Sequence, residues 1–217
     1  EQIKYLEEHP ETALLGTSKY IITEEGKILR KVIALPNPRK YLFKANAFTH
    51  GSVMFKKTVV DKLGYYNELF RYSQDYELWL RIAKHYEVRN LRQILYKLRS
   101  HSANIRLMNW EESTLYHLLA LRLARDELDD QMLKILKGKG IKSLYSYLNK
   151  NEKVFVNKAV ACMCMRNNNV KLAREEYKKV LKLNPLDFRN NINLILSYLG
   201  KGTWAKVHRI YAGFGRS

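Results

Sequence analysis

Arg71-Tyr72-Ser73-Gln74-Asp75-Tyr76-Glu77-Leu78-Trp79-Leu80-Arg81 is the stretch whose reading decides the fold. Tyr76, Trp79, Leu80 and Ala83 recur at i, i+3, i+4 and i+7, with Leu78 and Ile82 beside them, which predicts a helix with a broad apolar face. Glu77, Arg81 and Lys84 take what is left of its circumference. Asp75 falls at the helix N-terminus, where unpaired N–H groups and the helix dipole favour a carboxylate. That position suits a cap, and equally a general base held ionised and aimed outward. Trp79, four residues on, is either core or a stacking platform.

Upstream of this helix the chain is mixed α/β. Ile3–Glu8 reads as the end of a helix, closed by His9-Pro10, because a residue before proline leaves the helical region. Thr12–Ile22 and Ile28–Leu35 are apolar, β-branched runs on either side of Thr23-Glu24-Glu25-Gly26-Lys27, a hairpin signal. A short helix is expected over Arg39–Lys44, a buried strand over Ser52–Phe55, and another short helix over Thr58–Leu63 that stops at Gly64. Before the Ser52 strand stands Asn46-Ala47-Phe48-Thr49-His50-Gly51, a polar cluster with a glycine. It is either an ordinary turn with His50 bonded at its edge or a place where backbone approaches a ligand closely. Val88–Leu98 reads as a strand pair or as one strand with an irregular lead-in.

Beyond about residue 105 the texture turns helical. Helices are expected near 108–127, 130–138, 140–149, 152–167, 170–183, 188–199 and 203–212. Ala173, Tyr177, Leu181 and the stop Leu183-Asn184-Pro185 follow the pattern of the second helix of a tetratricopeptide repeat, without a second copy at that period. The expected division is therefore an α/β part over 1–105 and an α-helical extension over 106–217, with a repeat-like hairpin near 152–199 and a basic amphipathic end.

Composition sets the limits around these motifs. The 217 residues carry 39 Lys and Arg against 21 Asp and Glu, a formal charge of +18. Residues 188–217 hold no acidic side chain while Arg189, Lys201, Lys206, Arg209 and Arg216 remain. That balance favours polyanionic partners, nucleic acid or an anionic membrane face. The aromatic and basic character of the last helices suits peripheral contact with such a membrane. No apolar run reaches the roughly 20 residues of a membrane span. Cys162 and Cys164 make neither a disulfide framework nor a zinc set, and fit a reducing, cytoplasmic compartment. There is no phosphate-binding Gly-rich loop, no His-x-x-x-His pair and no Gly-x-Ser-x-Gly elbow. Asp129-Asp130 is expected to cap a helix. The chain starts without Met inside a charged helical run, and the start is expected to be processed or truncated.

Taken in order, several segments carry a resemblance. They are Ala13-Leu14-Leu15-Gly16-Thr17-Ser18, Glu24-Glu25-Gly26-Lys27, Thr49-His50-Gly51-Ser52-Val53-Met54-Phe55, Gly64-Tyr65-Tyr66-Asn67-Glu68-Leu69-Phe70, Gln74 through Arg81, and Leu95-Tyr96-Lys97-Leu98-Arg99-Ser100-His101. Over roughly residues 1–105 the chain resembles the C-terminal half of the catalytic domain of a family 2 glycosyltransferase. The resemblance implies a GT-A fold and inverting sugar transfer from a nucleotide-sugar donor to a glycan or lipid-linked acceptor in surface polysaccharide or glycoconjugate synthesis. It implies Asp75 as the base. It places His50, Gly51 and Ser52 on the donor-sugar and acceptor side, Trp79 and Arg81 in support of the base, and His101 as a candidate metal or diphosphate contact. Gln74 stands where the family often has a second acidic residue. The family's nucleotide-binding half and Asp-x-Asp motif have no counterpart here, so the expectation is an inactive fragment that binds no cofactor alone. The complete enzyme would use a divalent metal, Mg or Mn.

Two other classes compete. A non-catalytic helical-repeat adaptor or scaffold would use the second half alone. A basic nucleic-acid-binding protein is suggested by the charge and the 15 tyrosines, yet no helix-turn-helix, zinc-finger or RRM signature supports specific nucleic-acid binding.

Overall fold

A computed structural model describes residues 1–100 and 109–214, with side chains up to residue 207. In chain order the elements are α1 (Gln2–Glu8), β1 (Thr12–Ile22), β2 (Ile28–Val32), α2 (Arg39–Leu42), β3 (Met54–Phe55), α3 (Lys57–Leu63), α4 (Gln74–His85) and β4 (Glu87–Arg99). Then come α5 (Trp110–Ala124), α6 (Asp130–Lys139), α7 (Lys150–Arg166), α8 (Val170–Leu183), α9 (Phe188–Tyr198) and α10 (Lys201–Phe214). An α/β part followed by an all-α region is the architecture expected from the sequence. By contacts the chain divides into two compact units, Glu1–Asn104 with Tyr116–Leu133, and Ile105–Leu115 with Lys134–Ser217.

In the first unit β1 is the organising strand. β4 pairs with it in parallel along its whole length, from Thr12 opposite Glu87 to Ile22 opposite Arg99. With that side taken, β2 and β3 share the other, both antiparallel, at opposite ends of β1. Residues Thr12–Ser18 are buried without interruption, the pattern of a strand covered on both faces rather than one alternating between core and water. Parallel pairing of β1 and β4 requires a long crossover, and that crossover carries α2, α3 and α4. Helix α4 is apolar on nearly every side, with Tyr76, Leu78, Trp79, Leu80, Ile82 and Ala83 buried, as befits a helix inside the core. The Tyr76 hydroxyl donates to the Leu42 carbonyl at 2.5 Å, and its ring stacks on His117 of α5 at 4.3 Å between centroids.

The second unit is a succession of capped helices. Asn149 and Glu152 form a reciprocal capping box on α7, and Asn169 and Asp187 accept from the third residue of α8 and α9. Helix α8 packs against both α7 and α9, turning Ala173, Tyr177 and Val180 inward; Leu181 is half-buried beside them. Cys164 is buried, Cys162 is half-buried, and both are free thiols. In the first unit, Asp129 accepts from the N–H of Met132 at 2.6 Å, which makes it the cap of α6. Among the described residues no helix is long and apolar enough to cross a membrane.

Two expectations are corrected in detail, and of the two alternatives for Val88–Leu98 the single strand is the one found. The strand expected from Ser52 begins at Met54, and His50–Ser52 forms a single 3-10 turn. The helix expected over 140–149 is a 3-10 run, Ile141–Tyr147. Both departures have one cause. The hydroxyls of Ser52, Ser143 and Ser146 donate to the carbonyls three residues back, Thr49, Gly140 and Ser143, at 3.0, 2.6 and 2.8 Å. Such local bonds compete with regular secondary structure and tighten the turn. Finally, β4 is one strand of 13 residues. Its irregularity lies within the ladder, where Thr17 faces Leu91, Ser18 faces Ile94 and Lys19 faces Tyr96. Extra residues in one strand bend it and re-aim the side chains beyond, here Tyr96.

Candidate functional site

The 3-10 turn His50–Ser52 is anchored from beneath. The carbonyl of Thr49 accepts both the N–H and the hydroxyl of Ser52, at 2.8 and 3.0 Å. Gln2 donates from Nε2 to the carbonyls of Ser52 and Leu15, at 3.0 and 3.2 Å, which ties the turn to α1 and β1. Lys19 Nζ donates to Thr49 Oγ1 at 2.8 Å. Ser52 is thus buried and spent on holding the turn. A Cβ added to Gly51 would lie 2.2 Å from Tyr96 Oη and 2.6 Å from the ring carbon that bears it. Glycine at that position is what lets the Tyr96 phenol lie across the turn.

His50 remains exposed. Its Nε2 is 3.0 Å from the hydroxyl of Tyr66, and its ring stands edge-on to Trp79 and Tyr66, each 6.0 Å away between centroids. Trp79 is fully buried beneath it, against Phe48 and Phe55. The indole Nε1–H of Trp79 is buried with no acceptor among the described residues. A buried orphan donor costs free energy, so the ring is held there by packing on three aromatic neighbours.

Asp75 arrives from α4. Ser73, at the N-cap, is in the left-handed region (φ 58°, ψ 20°) and makes no side-chain cap. A non-glycine residue held there costs on the order of 1–3 kcal/mol, and such strain clusters at functional sites. Asp75 is half-buried in the first turn, and its Oδ1 accepts the N–H of Tyr76 at 2.8 Å. No other hydrogen bond to this carboxylate is made among the described residues. Its charge reaches Tyr66: burial pushes the Tyr66 phenol above its ordinary pKa, and the Asp75 carboxylate pushes it further. The structure therefore brings Asp75, Tyr66, His50 and Trp79 into one neighbourhood from three separate stretches of chain.

Arg81 occupies the opposite side of the same helix. It donates twice to the Glu77 carboxylate, at 2.9 and 2.8 Å. Its remaining donors go to the carbonyls of Leu63, Gly64 and Tyr65, at 2.6, 2.7 and 2.7 Å. A guanidinium has five N–H donors, and all five are engaged. Arg81 thereby fastens the end of α3, where Gly64 turns with φ 86°, to the helix that carries Asp75. Tyr66 follows directly, so its place beside His50 depends on this clasp.

A carboxylate, an imidazole and a phenol grouped at a partly open surface can bind a hydroxyl-bearing molecule and take its proton. They do not make a metal centre. Among the described residues no three His, Cys, Asp or Glu side chains converge to hold a metal ion, and His101 lies outside the described residues. Reading the sequence alone leaves out Tyr66, Tyr96 and Glu77. Glu77 was within reach, since Glu at i and Arg at i+4 share a helix face. Nothing in the local pattern announces the tyrosines, whose partners come from distant segments.

No protein-family model matches the chain. It is 38% identical over 104 residues to the amylovoran biosynthesis glycosyltransferase AmsE of Erwinia amylovora, a match covering 46% of this chain and 39% of that protein. It is 32% identical over 126 residues to an uncharacterized glycosyltransferase of Methanocaldococcus jannaschii, covering 56% of this chain and 43% of that protein. Over about half its length this chain is similar to two proteins named as glycosyltransferases, and it spans less than half the length of each.

Proposed function

We propose that these residues form the acceptor side of an inverting, nucleotide-sugar-dependent glycosyltransferase of family 2, built on a GT-A fold, with Asp75 as general base. In this reading the Asp75 carboxylate takes the proton from an acceptor hydroxyl. That oxygen attacks the anomeric carbon, and the bond to the nucleotide diphosphate breaks on the opposite face. His50 and Tyr66, paired at 3.0 Å, bind the sugar hydroxyls beside it. Gly51 and Ser52 shape the turn that presents His50, and Trp79 fixes the imidazole from below. The observation that carries the reading is the meeting of Asp75, His50 and Tyr66 in a chain similar to two glycosyltransferases.

The acceptor proposed is a glycan or lipid-linked glycan in surface polysaccharide synthesis, in keeping with the amylovoran biosynthesis in which AmsE is named. The complete enzyme is proposed to use Mg or Mn, but no described residue set fits a metal, so no step is assigned to one. The α7–α8 pair is read as a tetratricopeptide-like hairpin, on the strength of buried Ala173 and Tyr177.

The test is to offer the complete enzyme a panel of radiolabelled nucleotide sugars with membrane-extracted acceptors. Transfer of label from one donor to acceptor, with the opposite anomeric configuration in the product, supports the reading. Hydrolysis alone, retention of configuration, or no transfer from any donor contradicts it.

A further inference from the structure

Helix α9 has two unlike sides. Asn190, Leu196 and Ser197 are buried within the helical unit. Away from them stand Phe188, Ile192, Ile195 and Leu199, which are 76, 38, 62 and 62% exposed, with Leu186 ahead of them at 79%. At 3.6 residues per turn, positions 188, 192, 195 and 199 fall within an arc of about 60°, so the four form one stripe. Its exposed apolar surface is on the order of several hundred Å², the size at which a patch marks an interaction site.

The charge around the stripe says what covers it. Asp187, the last acidic residue of the sequence, is already spoken for: its carboxylate accepts from the Asn190 N–H at 3.0 Å and pairs with Lys158 at 2.7 Å. Arg189 on α9 and Lys201 and Lys206 on α10 are all exposed. A second copy of the chain would bring the same patch against itself, setting these cations against one another with no carboxylate from α9 or α10 to meet them. An anionic lipid surface satisfies both features, since aliphatic and aromatic side chains enter the headgroup boundary while basic residues meet lipid charge.

We infer that the apolar stripe of α9, in a stretch whose exposed charges are the cations Arg189, Lys201 and Lys206, is a docking face for an anionic membrane surface. The inference is independent of the sugar-transfer reading, because it rests on a different unit and its assay involves no donor or acceptor.

The intact protein is to be floated with vesicles of phosphatidylcholine alone and of phosphatidylcholine mixed with phosphatidylglycerol. The expected result is binding to the mixed vesicles that weakens as salt rises. Replacing Ile192 and Ile195 together (Ile192→Glu, Ile195→Glu) should lower vesicle affinity at least about tenfold. Ile195 is 62% exposed and Ile192 38%, so an unchanged melting temperature is required of the double variant, and Ile195→Glu alone serves as the milder form of the test. Converting Arg189, Lys201 and Lys206 to Gln should lower affinity for the mixed vesicles by about a hundredfold. Equal binding to neutral and anionic vesicles overturns the inference, as does undiminished binding by the Ile192→Glu, Ile195→Glu protein. So does a protein that ignores vesicles but dimerises through this stripe or is captured through it by an acidic protein.

Discussion

Arg81→Ala removes the clasp that joins α4 to the end of α3, and its cost can be worked from the contacts. Five hydrogen bonds go, two to Glu77 and three to the carbonyls of Leu63, Gly64 and Tyr65. The Glu77 side chain is only 8% exposed and that of Arg81 24%. Removing one member of a buried ion pair costs about 3–5 kcal/mol, mostly because the other charge is stranded. Since Arg81 is partly solvated, the lower end applies, about 3 kcal/mol. The three carbonyls turn to water and add little. For a protein of this size that is a fall in melting temperature of about 6–12 °C. Glu77→Gln with Arg81→Met removes both charges and should recover at least about half of the loss, since an ion pair exchanged for neutral groups is often tolerated. Loosening the clasp also frees Tyr66 from His50, so under the proposed function the KM for acceptor should rise in Arg81→Ala and, to a smaller degree, in Arg81→Lys, whose ammonium cannot reproduce the fork. The assays are thermal unfolding followed by circular dichroism and steady-state kinetics on the same preparations. A cost below about 1 kcal/mol for Arg81→Ala, or a double variant no more stable than the single one, refutes the reasoning.

Other outcomes follow from particular contacts. Gly51→Ala puts a methyl group into the Tyr96 phenol and should destabilise by about 1–3 kcal/mol; adding Tyr96→Ala should restore part of that in the same unfolding assay, and no restoration would mean that the close approach is not the cause. In the helical unit, burial pushes the Cys164 thiol up to about 12, with Glu176 adding to the effect, so Cys164 should resist iodoacetamide at neutral pH until the protein is unfolded. Because its folded pKa lies above the ordinary thiol value, the folded state keeps a proton that the unfolded state releases. The stability this brings is therefore intact below about pH 9 and lost as pH rises towards 12. Burial also raises Cys162 and Tyr177, so melting temperature should fall steeply above pH 9, and less steeply in Cys164→Ala.

Much of the fold was legible because its signals are local. The period of α4, the hairpin turn at Gly26, the stop at Gly64 and the cap at Asp129 lie within a few residues of what they determine. What the sequence concealed depends on hydroxyls and on distant partners. Ser52, Ser143 and Ser146 turn expected regular segments into 3-10 turns through single side-chain bonds. The bulged ladder that aims Tyr96 at Gly51 arises from the pairing of β1 with β4, and no stretch of β4 read alone displays it. At the site, Asp75 and His50 stood out through helix position and turn chemistry. Tyr66 did not, since its meaning comes from His50, 16 residues earlier, and from the Arg81 clasp. Arg81 was expected, from the resemblance, to support the base; its use of all five donors on the protein is a property of the fold.

The most direct measurement is kcat and donor affinity for Asp75→Asn in the intact protein. A general base contributes about 10²–10⁴ in rate, so kcat should fall by that factor. The nucleotide-sugar Kd and the melting temperature should stay at the parent values, because in the proposed mechanism the carboxylate serves the acceptor hydroxyl. A kcat within about tenfold of the parent, or a loss that lies wholly in donor binding, would contradict the assignment of Asp75 as the base.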